Sequence, residues 1–158
     1  MLTNILLLCN IFSYSNTLFS INSKKIIHII DKQLIHNNNN NNNNNIIINY
    51  ESRIKSGARI IKKIQKKKIP YDIYGLRIIY NDTSNIYNTQ FAYTIKNIIQ
   101  SNFNTLDYLY DDYIANPKIN NYQSLHIYVL TNILMEIQIR NSFMHKVAIN
   151  GSASNYYI

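Results

Sequence analysis

The sequence predicts an α+β domain in which helices pack on one mixed β-sheet. Two observations predict it. Strand-like runs of β-branched residues alternate with amphipathic helical stretches after position 45. An unbroken asparagine run, Asn37–Asn45, separates these stretches from the start of the chain, and it offers no apolar face to a packed core. We therefore expect two regions, residues 1–45 and residues 46–158, of which only the second forms a domain.

The first region resembles a targeting sequence, an address for import into an organelle. Ile5–Phe12 is an apolar run of signal-peptide length, and an acid-poor stretch containing Lys24 and Lys25 follows it. The run is too short to span a bilayer. This order is typical of import into an apicoplast-like secondary plastid, and we expect that location, with the cytoplasm as the alternative. The alternatives to an address are a dispensable apolar arm and a wrongly read upstream exon, and the asparagine run is predicted to be a disordered spacer.

The elements of the second region follow in order. Residues 46–55 open with β-branched residues and predict a strand. Residues 58–68 predict a helix, because isoleucines recur at helical spacing with lysines on the other side, and Pro70 blocks its continuation. Residues 76–80 predict a short strand after a glycine. Residues 84–100 predict a second amphipathic helix.

The last third of the chain predicts a hairpin and a helix. Residues 101–122 are polar and rich in tyrosine, and we expect mostly loop. Residues 125–130 and 134–139 are apolar strands joined by a short turn. A final helix is expected to begin at Asn141 or Ser142, since both residue types favour the N-cap position.

Composition narrows the classes of function. The chain has 16 Lys and Arg against 8 Asp and Glu, a formal net charge of +8. This excess favours an anionic partner: a nucleotide, a nucleic acid or a membrane surface. The single cysteine, Cys9, excludes an internal disulfide and a cysteine-built zinc site. The four histidines lack the spacing of a dedicated metal cluster.

The first chemical motif is basic. Arg53 and Lys55 project from one face of the predicted strand, because strand side chains alternate. Eight of the 16 basic residues fall within 53–68, and triphosphate binding needs such convergence. A solvated basic face is the alternative. We adopt that alternative for residues 66–68, and we retain Arg53, Lys55 and Lys63 as candidates.

Two further motifs carry acidic and polar groups. Asp72 precedes a strand and is followed by Gly75, an arrangement that suits a magnesium ligand with room for close approach. Alone this motif is weak. In the predicted strand 134–139 and just after it, Glu136, Gln138 and Arg140 share one face, while isoleucines occupy the other. If the polar face lines a cleft, Glu136 can serve as a metal ligand or a general base.

The fourth motif, residues 111–126, crowds acids, amides, a lysine, an aromatic residue and a histidine into a predicted loop. Such loops are usually functional. Tyr122 could stack on a base, Asn120 could contact a base edge, and Lys118 and His126 could reach phosphates. Most of the 14 tyrosines must be core or surface residues, so Tyr122 alone would be a weak candidate.

Taken in order, four motifs within residues 51–151 resemble the synthetase domain of the RelA/SpoT family: R-x-K, D-x-x-G-x-R, D-Y-I-A-x-P-K-x-N-x-Y-Q-S-L-H and E-I-Q-I-R-x-x-x-M-H. The last two are long and specific. The resemblance implies a nucleotidyltransferase-like α+β fold with a mixed sheet of about five strands flanked by helices. It also implies alarmone synthesis, in which pyrophosphate moves from ATP to the 3′-hydroxyl of GDP or GTP.

The resemblance assigns roles to eleven positions. Arg53 and Arg77 would flank the adenine of ATP, and Lys55 and Lys63 would contact its phosphates. Asp72 and Glu136 would hold Mg²⁺, and Glu136 would also take the proton of the 3′-hydroxyl. Tyr122 would stack on guanine, supported by Asn120 and Gln138, while Lys118 and His126 would meet the 5′-phosphates of the acceptor.

Departures from the family leave two alternatives open. Arg59 replaces a usual serine, the link from Lys63 to Asp72 is shorter than usual, and Ile149 and Asn155 replace a usual glutamate and histidine. We also expect the domain to be truncated at its C-terminus. The alternatives are a degenerate guanine-nucleotide-binding regulatory module and a pyrophosphokinase that acts on RNA. We favour an active enzyme with ATP and GDP or GTP as its partners and no stable nucleic-acid partner; the sequence leaves its oligomeric state open.

Overall fold

A computed structural model describes the backbone of residues 2–38 and 46–150, and the side chains of residues 11–35 and 46–150. Its helices are α1 (Leu2–Asn38), α2 (Gly57–Gln65), α3 (Gln90–Asn102) and α4 (Ser142–Asn150). Its strands are β1 (Ile46–Ile54), β2 (Tyr74–Asp82), β3 (Asp111–Asp112), β4 (Leu125–Leu130) and β5 (Leu134–Asn141). A single 3₁₀ turn, Asp107–Leu109, precedes β3 in this part of the chain.

The five strands form one mixed sheet in the order β1-β2-β5-β4-β3. The pair β2–β5 is parallel, and the other three pairs are antiparallel. The expected α+β fold with a mixed five-stranded sheet is confirmed. The central position of β2 and β5 places their two motifs side by side.

The two faces of the sheet differ in chemistry because side chains alternate along each strand. Leu76 of β2 pairs with Ile137 of β5, which pairs with Ile127 of β4, and all three are at most 2% exposed. This back face packs against α3, where Ile95 and Ile99 are fully buried. Polar side chains occupy the front face, which is therefore available for a site.

Helix α1 differs from the sequence expectation. We expected residues 1–45 to be an address and a spacer outside the domain, yet Phe19, Ile26, Ile30 and Leu34 are buried in the same core as the sheet. The last three lie four residues apart, so they form one narrow apolar stripe on a helix. Further isoleucines, Ile27, Ile29 and Ile35, lie off this stripe, so the sequence does not single it out. Residues 39–45 of the predicted spacer lie outside the described residues.

Helix α1 also contacts the strands that carry the motifs. The Tyr74 hydroxyl donates to Ser15 Oγ at 2.6 Å, and the rings of Phe19 and Tyr74 have centroids 5.2 Å apart. The Tyr50 hydroxyl donates to Asp31 at 2.6 Å. These contacts hold α1 against β1 and the start of β2.

Helix α3 begins six residues later than the predicted start at residue 84. Asp82 Oδ1 accepts hydrogen bonds from the backbone N–H groups of Ser84, at 2.9 Å, and Asn85, at 3.1 Å. A side chain that bonds to nearby N–H groups in this way stabilises a turn and competes with the helix. The amphipathic pattern therefore extends beyond the helix itself.

Helix α2 forms where expected, but its apolar side does not enter the core. Ile61 and Ile64 are 57% and 56% exposed, and no residue of α2 is buried. The helix instead turns Lys63 towards an ion pair with Asp72. Lys63 is half-buried at this ion pair, whereas Arg59 and Lys62 of the same helix are exposed.

Helix α4 begins at Ser142, after an N-cap at Asn141, whose Oδ1 accepts the backbone N–H of Met144 at 2.8 Å. This geometry selects Asn141 over Ser142 as the cap. Position 155, one of the departures from the family, lies outside the described residues. No helix in the described part of the chain combines the length and apolarity needed to cross a bilayer.

Candidate active site

A cleft of about 670 Å³ opens on the front face of the sheet. It gathers ten of the eleven predicted site residues: Arg53, Lys55, Lys63, Asp72, Lys118, Asn120, Tyr122, His126, Glu136 and Gln138. The eleventh, Arg77, lines adjoining space on the same face. The four motifs therefore converge on one side of the sheet.

Strand register brings the motifs together. Arg53 of β1 lies opposite Gly75 of β2, which lies opposite Glu136 of β5, which lies opposite Tyr128 of β4. A Cβ at Gly75 would lie 3.7 Å from the Arg53 carbonyl oxygen and 3.8 Å from that of Glu136, which is ordinary contact. A Cβ would therefore fit at this position, and the φ of Gly75 is not positive, so neither backbone contacts nor backbone conformation require glycine here.

Asp72 lies just before β2 and is paired with two lysines. Lys55 contacts its Oδ2, and Lys63 Nζ lies 2.8 Å from its Oδ1. Burial raises the pKa of this carboxyl, but the two lysine hydrogen bonds outweigh burial and lower the pKa to about 2. Asp72 is therefore ionised at neutral pH and lies between the two cations expected to contact phosphates.

Glu136 is 5% exposed and fully engaged by neighbours. Its Oε1 lies 2.9 Å from His126 Nδ1 and accepts the Tyr128 hydroxyl at 3.1 Å, and its Oε2 accepts Gln138 Nε2 at 2.8 Å. Burial raises the pKa of Glu136, Asp72 raises it further, and the bonds from His126 and Gln138 lower it below its usual value on balance. The carboxylate is thus held ionised and in a fixed orientation.

The rings of Tyr113, Tyr122 and His126 contact one another and form an aromatic wall of the cleft. The Tyr122 hydroxyl lies 2.8 Å from His126 Nε2, so Tyr122, His126 and Glu136 form one hydrogen-bonded chain. Lys118 Nζ lies 4.0 Å from the centre of the Tyr113 ring and 5.4 Å from that of Tyr122. A nucleotide base that binds against this wall would contact the flat faces of tyrosine rings beside the ammonium group of Lys118.

Asn120 stabilises the turn that precedes Tyr122. Its Oδ1 accepts the backbone N–H of Tyr122 at 3.3 Å, and Asn121 between them adopts a positive φ of 60°. Asparagine tolerates this left-handed conformation better than most residues. The turn presents Tyr122 to the cleft, a role that the sequence had not assigned to Asn120.

Arg77 lies beside the cleft, next to its rim. Its Nη1 forms an ion pair with Glu51 Oε2 at 2.6 Å, and its Nε donates to Gln138 Oε1 at 3.5 Å. It lines a second cavity of about 230 Å³ together with Arg53. Since Arg53 also lines the main cleft, the two spaces adjoin.

Two tyrosines of the cleft were absent from the predicted set. Tyr128 donates to Glu136, and burial followed by that negative charge raises the pKa of its hydroxyl. Tyr113 lines the cleft, and burial followed by its bond to Asp111 raises its pKa to about 12. Tyr128 lies two residues after His126 in β4, so strand alternation could have placed it on the front face.

The donor set fits a divalent cation only in part. Among the described residues, no group of three or more histidine, cysteine, aspartate and glutamate side chains could hold a metal ion. Asp72 and Glu136 nevertheless line one cleft. Mg²⁺ takes few protein carboxylates and completes its octahedron with water and phosphate oxygens, so two carboxylates beside a polyphosphate-sized space fit this ion.

Comparison with curated proteins links the chain to guanosine nucleotide pyrophosphokinases. A GTP pyrophosphokinase of Haemophilus influenzae is 38% identical over 103 residues, which cover 61% of this chain and 13% of that protein. A probable chloroplastic GTP diphosphokinase of Arabidopsis thaliana is 34% identical over 110 residues, covering 66% of this chain and 15% of that protein. The chain thus spans a small part of the length of these relatives.

Solved structures of small alarmone synthetases also resemble this chain. The structure of the small alarmone synthetase 1 of Bacillus subtilis bound to its product pppGpp has a TM-score of 0.52 and 30% identity, covering 68% of this chain and 61% of that one. The small alarmone synthetase 2 of the same species has a TM-score of 0.52 and 28% identity, covering 86% of this chain and 79% of that one.

The family profile described as "Region found in RelA / SpoT proteins" matches residues 52–157. The match begins within β1 and includes all four motifs and the whole lining of the cleft. The motifs, the fold and the profile therefore agree, and the chain belongs to the RelA/SpoT family.

Proposed function

We propose that the chain transfers pyrophosphate from ATP to the 3′-hydroxyl of GDP or GTP, which yields AMP and the alarmone (p)ppGpp. One observation carries the proposal: two ionised carboxylates, Asp72 and Glu136, share a cleft with converging cations and an aromatic wall. The names of the curated relatives, GTP pyrophosphokinase and GTP diphosphokinase, support it.

The donor side of the proposal rests on four cations. Arg53 and Arg77 would hold the adenine between them, since guanidinium groups stack on flat rings. Lys55 and Lys63 would contact the phosphates. Both lysines are bonded to Asp72, and their ammonium groups would reorient towards the phosphate oxygens when ATP binds.

Mg²⁺ is the proposed cofactor, and Asp72 and Glu136 would hold it together with phosphate oxygens. When bound, the ion would offset the negative charge of the pyrophosphoryl group. The shared cleft of the two carboxylates supports this assignment. The effect of Asp72 on the pKa of Glu136, which it raises, also supports the assignment, because it shows that the two carboxylates interact.

The acceptor would bind on the aromatic side of the cleft. Tyr122 would stack on guanine, with Asn120 and Gln138 supporting the pocket. Lys118 and His126 would meet the 5′-phosphates. The short distances between Lys118 and the two tyrosine rings support a binding mode in which one cation lies next to the base and its phosphates.

Glu136 would accept the proton of the 3′-hydroxyl. The new bond joins O3′ to the β-phosphorus of ATP, the bond from that phosphorus to the α–β bridging oxygen breaks, and AMP leaves with the bridging oxygen. The lowered pKa of Glu136 keeps its carboxylate ionised at neutral pH, so the carboxylate can accept this proton. His126, Tyr128 and Gln138 would hold its two oxygens in place.

Plastid import remains part of the proposal. Two plant relatives carry chloroplastic names, which supports a plastid as the location. Because Ser15 and Phe19 contact Tyr74 of the domain, a cleaved address would have to end before them. Imaging of the whole chain with a C-terminal fluorescent reporter tests the location, and a diffuse cytoplasmic signal would contradict it.

The activity is tested with the full chain, ATP, Mg²⁺ and either GDP or GTP, with products separated by anion exchange. We expect AMP and a guanine nucleotide with two additional phosphates. Glu136→Gln should reduce turnover by at least about a thousandfold while nucleotide binding persists, because proton transfer and metal binding are both lost. Asp107→Asn, an exposed acid outside the cleft, should retain wild-type turnover.

The other outcomes separate the alternatives. Guanine nucleotide binding without turnover would establish the degenerate regulatory module. Transfer of labelled pyrophosphate to RNA, but not to GDP or GTP, would establish the RNA-directed enzyme. Full turnover in Glu136→Gln would overturn the role assigned to that residue.

A further inference from the structure

Helix α2 turns its apolar side towards solvent, the reverse of an ordinary surface helix. Ile61 and Ile64 are 57% and 56% exposed, and Ile69, which follows the helix, is 63% exposed. Ile61 and Ile64 lie three residues apart, so they are neighbours on the helix surface. Lys63, about 160° around the helix from Ile61, contacts Asp72 in the cleft. Exposed apolar side chains grouped in this way indicate an interaction surface.

Lysines border this apolar side. Four lysines of the segment are exposed: Lys62, Lys66, Lys67 and Lys68. Within the described part of the chain, none of the four forms an ion pair with an acidic side chain. Residues 54–71 contain no Asp or Glu at all. We define the α2 surface by three isoleucines and four lysines: Ile61, Ile64, Ile69, Lys62, Lys66, Lys67 and Lys68.

The turn that ends α2 brings the lysines next to the isoleucines. Lys67 adopts a positive φ of 55°, and its backbone N–H donates to the Ile64 carbonyl oxygen at 2.8 Å. The backbone N–H of Lys68 donates to the Lys63 carbonyl oxygen at 3.1 Å. The chain thus turns back against the last turn of the helix, which keeps residues 66–68 beside Ile64. Positive charge and apolar area therefore belong to one patch.

This combination favours an anionic lipid surface as the partner. On such a surface, isoleucines enter the boundary between head groups and acyl chains, and lysines contact the lipid phosphates. A second copy of the chain would bring like charges together, because each copy has a net charge of +8. A nucleic acid would use the lysines through its phosphates but would leave the isoleucines in water.

We propose that the α2 surface docks the chain on the surface of a membrane that contains anionic lipids. The lysines attract the head groups, and the isoleucines anchor α2 in the plane of the interface. None of the residues of the α2 surface lines the cleft, so docking uses side chains outside the candidate active site. The inference is therefore independent of the proposed function and goes beyond it.

Flotation of the full chain with lipid vesicles tests the proposal. One set of vesicles contains phosphatidylcholine alone, and the other contains equal parts of phosphatidylcholine and phosphatidylglycerol. The isoleucine variant combines Ile61→Ser with Ile64→Ser. The lysine variant combines Lys62→Gln, Lys66→Gln and Lys68→Gln, and it leaves residue 67 unchanged because of its positive φ.

Helix α1 supplies a matched control for each variant. Ile21→Ser with Ile35→Ser removes two isoleucines that are 57% and 62% exposed. Lys24→Gln, Lys25→Gln and Lys32→Gln together remove three exposed lysines. Each control changes the same residue types in the same number as its α2 counterpart. Unchanged far-UV circular dichroism verifies that all four variants fold.

We expect the wild type to float with the anionic vesicles and to bind neutral vesicles at least about tenfold more weakly. Added salt should release it, because salt screens the attraction between lysines and head groups. Each α2 variant should lower partitioning into anionic vesicles by at least about tenfold, since binding depends on both apolar area and charge. Each α1 control should lower it by less than about twofold.

The remaining outcomes overturn the proposal. Absence of binding to anionic vesicles would do so, as would equal losses in the α1 and α2 variants. If vesicle binding persists in both α2 variants while RNA binding is lost in the lysine variant, the lysines serve a nucleic acid. If self-association, measured by analytical ultracentrifugation without vesicles, is lost in the isoleucine variant, the isoleucines bind a second copy. Alarmone synthesis by the same wild-type protein without vesicles tests the proposed function separately.

Discussion

At the residue scale, the candidate site is a set of charged side chains that are paired with one another. Asp72 is bonded to Lys55 and Lys63, and Glu136 is bonded to His126 and Gln138. Removing one partner from such a set leaves a partly buried charge without compensation, which is costly. The same residues therefore contribute to stability as well as to the proposed chemistry.

The lowered pKa of Asp72 predicts acid sensitivity. A carboxyl with a pKa near 3.8 in the unfolded chain and about 2 in the folded protein stabilises the folded state by about 2 kcal/mol above pH 4. This contribution is fully present above the unfolded pKa and is lost as the pH falls through the folded pKa. The free energy of unfolding, measured by urea titration between pH 7 and pH 2, should thus decline more steeply in the wild type than in Asp72→Asn.

The difference between the two pH profiles isolates Asp72, because the other carboxyls titrate in both proteins. Equal slopes between pH 4 and pH 2 would mean that the lysine pairs do not lower the pKa of Asp72. At neutral pH the variant should be less stable, since Lys55, whose side chain is only 10% exposed, loses its carboxylate partner.

Tyr122 predicts a selective effect on the acceptor. Stacking of a base on an aromatic ring contributes roughly 1–3 kcal/mol, so Tyr122→Ala should raise KM for GDP at least about fivefold and KM for ATP by less. Tyr122→Phe keeps the ring and loses the bond to His126, and it should retain most of the affinity for GDP. Steady-state kinetics with each substrate varied in turn provides the measurement.

The control for the tyrosine series is Tyr108→Ala, which removes a ring that is 77% exposed and outside the cleft. It should leave both KM values near those of the wild type. Equal increases in the two KM values for Tyr122→Ala would indicate a collapsed loop, and a change below twofold for GDP would exclude stacking.

Sequence reasoning predicted which residues lie together better than it predicted their hydrogen-bond partners. Ten of the eleven predicted residues line one cleft, and for the four that lie in strands, Arg53, His126, Glu136 and Gln138, strand alternation accounts for the shared face. The bond from His126 to Glu136 could not be predicted, since it depends on the register that sets His126 opposite Gln138, diagonally from Glu136. Register between distant strands is a tertiary property.

At the element scale, the hydrophobic pattern of the sequence mispredicts burial in α1 and in α2, in opposite directions. The stripe of Ile26, Ile30 and Leu34 is narrow and is not marked off from neighbouring isoleucines in the sequence, yet it is buried. The isoleucines of α2 form a clear apolar side, yet Ile61 and Ile64 are exposed. Periodicity predicts that a helix forms, whereas packing and ion pairs decide which side faces inward.

The packing of α1 predicts a stability difference between chemically identical substitutions. Ile26 is fully buried and Ile35 is 62% exposed on the same helix. Ile26→Ala should lower the free energy of unfolding by about 2–4 kcal/mol, the cost of a cavity in a core. Ile35→Ala should change it by about 0.5 kcal/mol or less.

Chemical denaturation followed by circular dichroism measures both isoleucine variants, and the pair controls for the change in helix propensity. Similar losses in the two variants, or none in either, would mean that α1 does not pack on the sheet in solution.

At the scale of the whole molecule, the two faces of the sheet have different roles, because the back face belongs to the core and the front face carries the candidate site. Apolar side chains on the back face pack against α1 and α3, and polar side chains on the front face line the cleft. The sequence predicts the two faces of β5, where Glu136, Gln138 and Arg140 alternate with isoleucines. It does not predict the strand order, in which β5 lies between β2 and β4, because that order joins strands far apart in the chain.

The boundary of the folded unit gives the last prediction. Residues 46–158 alone lack Phe19, Ile26, Ile30 and Leu34, which belong to the core. Each such side chain contributes about 1.5–3 kcal/mol when buried, and a domain of this size is stable by only about 5–15 kcal/mol. A chain that begins at residue 46 should therefore be unfolded or aggregated. A chain that begins at residue 13 retains the contacts of Ser15 and Phe19 with Tyr74, and it should fold and turn over like the full chain.

Thermal denaturation and the alarmone assay on the full chain, residues 13–158 and residues 46–158 distinguish two organisations of the molecule. If the shortest chain melts cooperatively near the temperature of the full chain and remains active, residues 1–45 are the separable address and spacer that composition indicates. If only the two longer chains fold, most of α1 is part of the domain, and the asparagine run is a connection within the folded unit. The burial of four apolar side chains of α1 favours the second result, and it confines any cleavable address to the residues before Ser15.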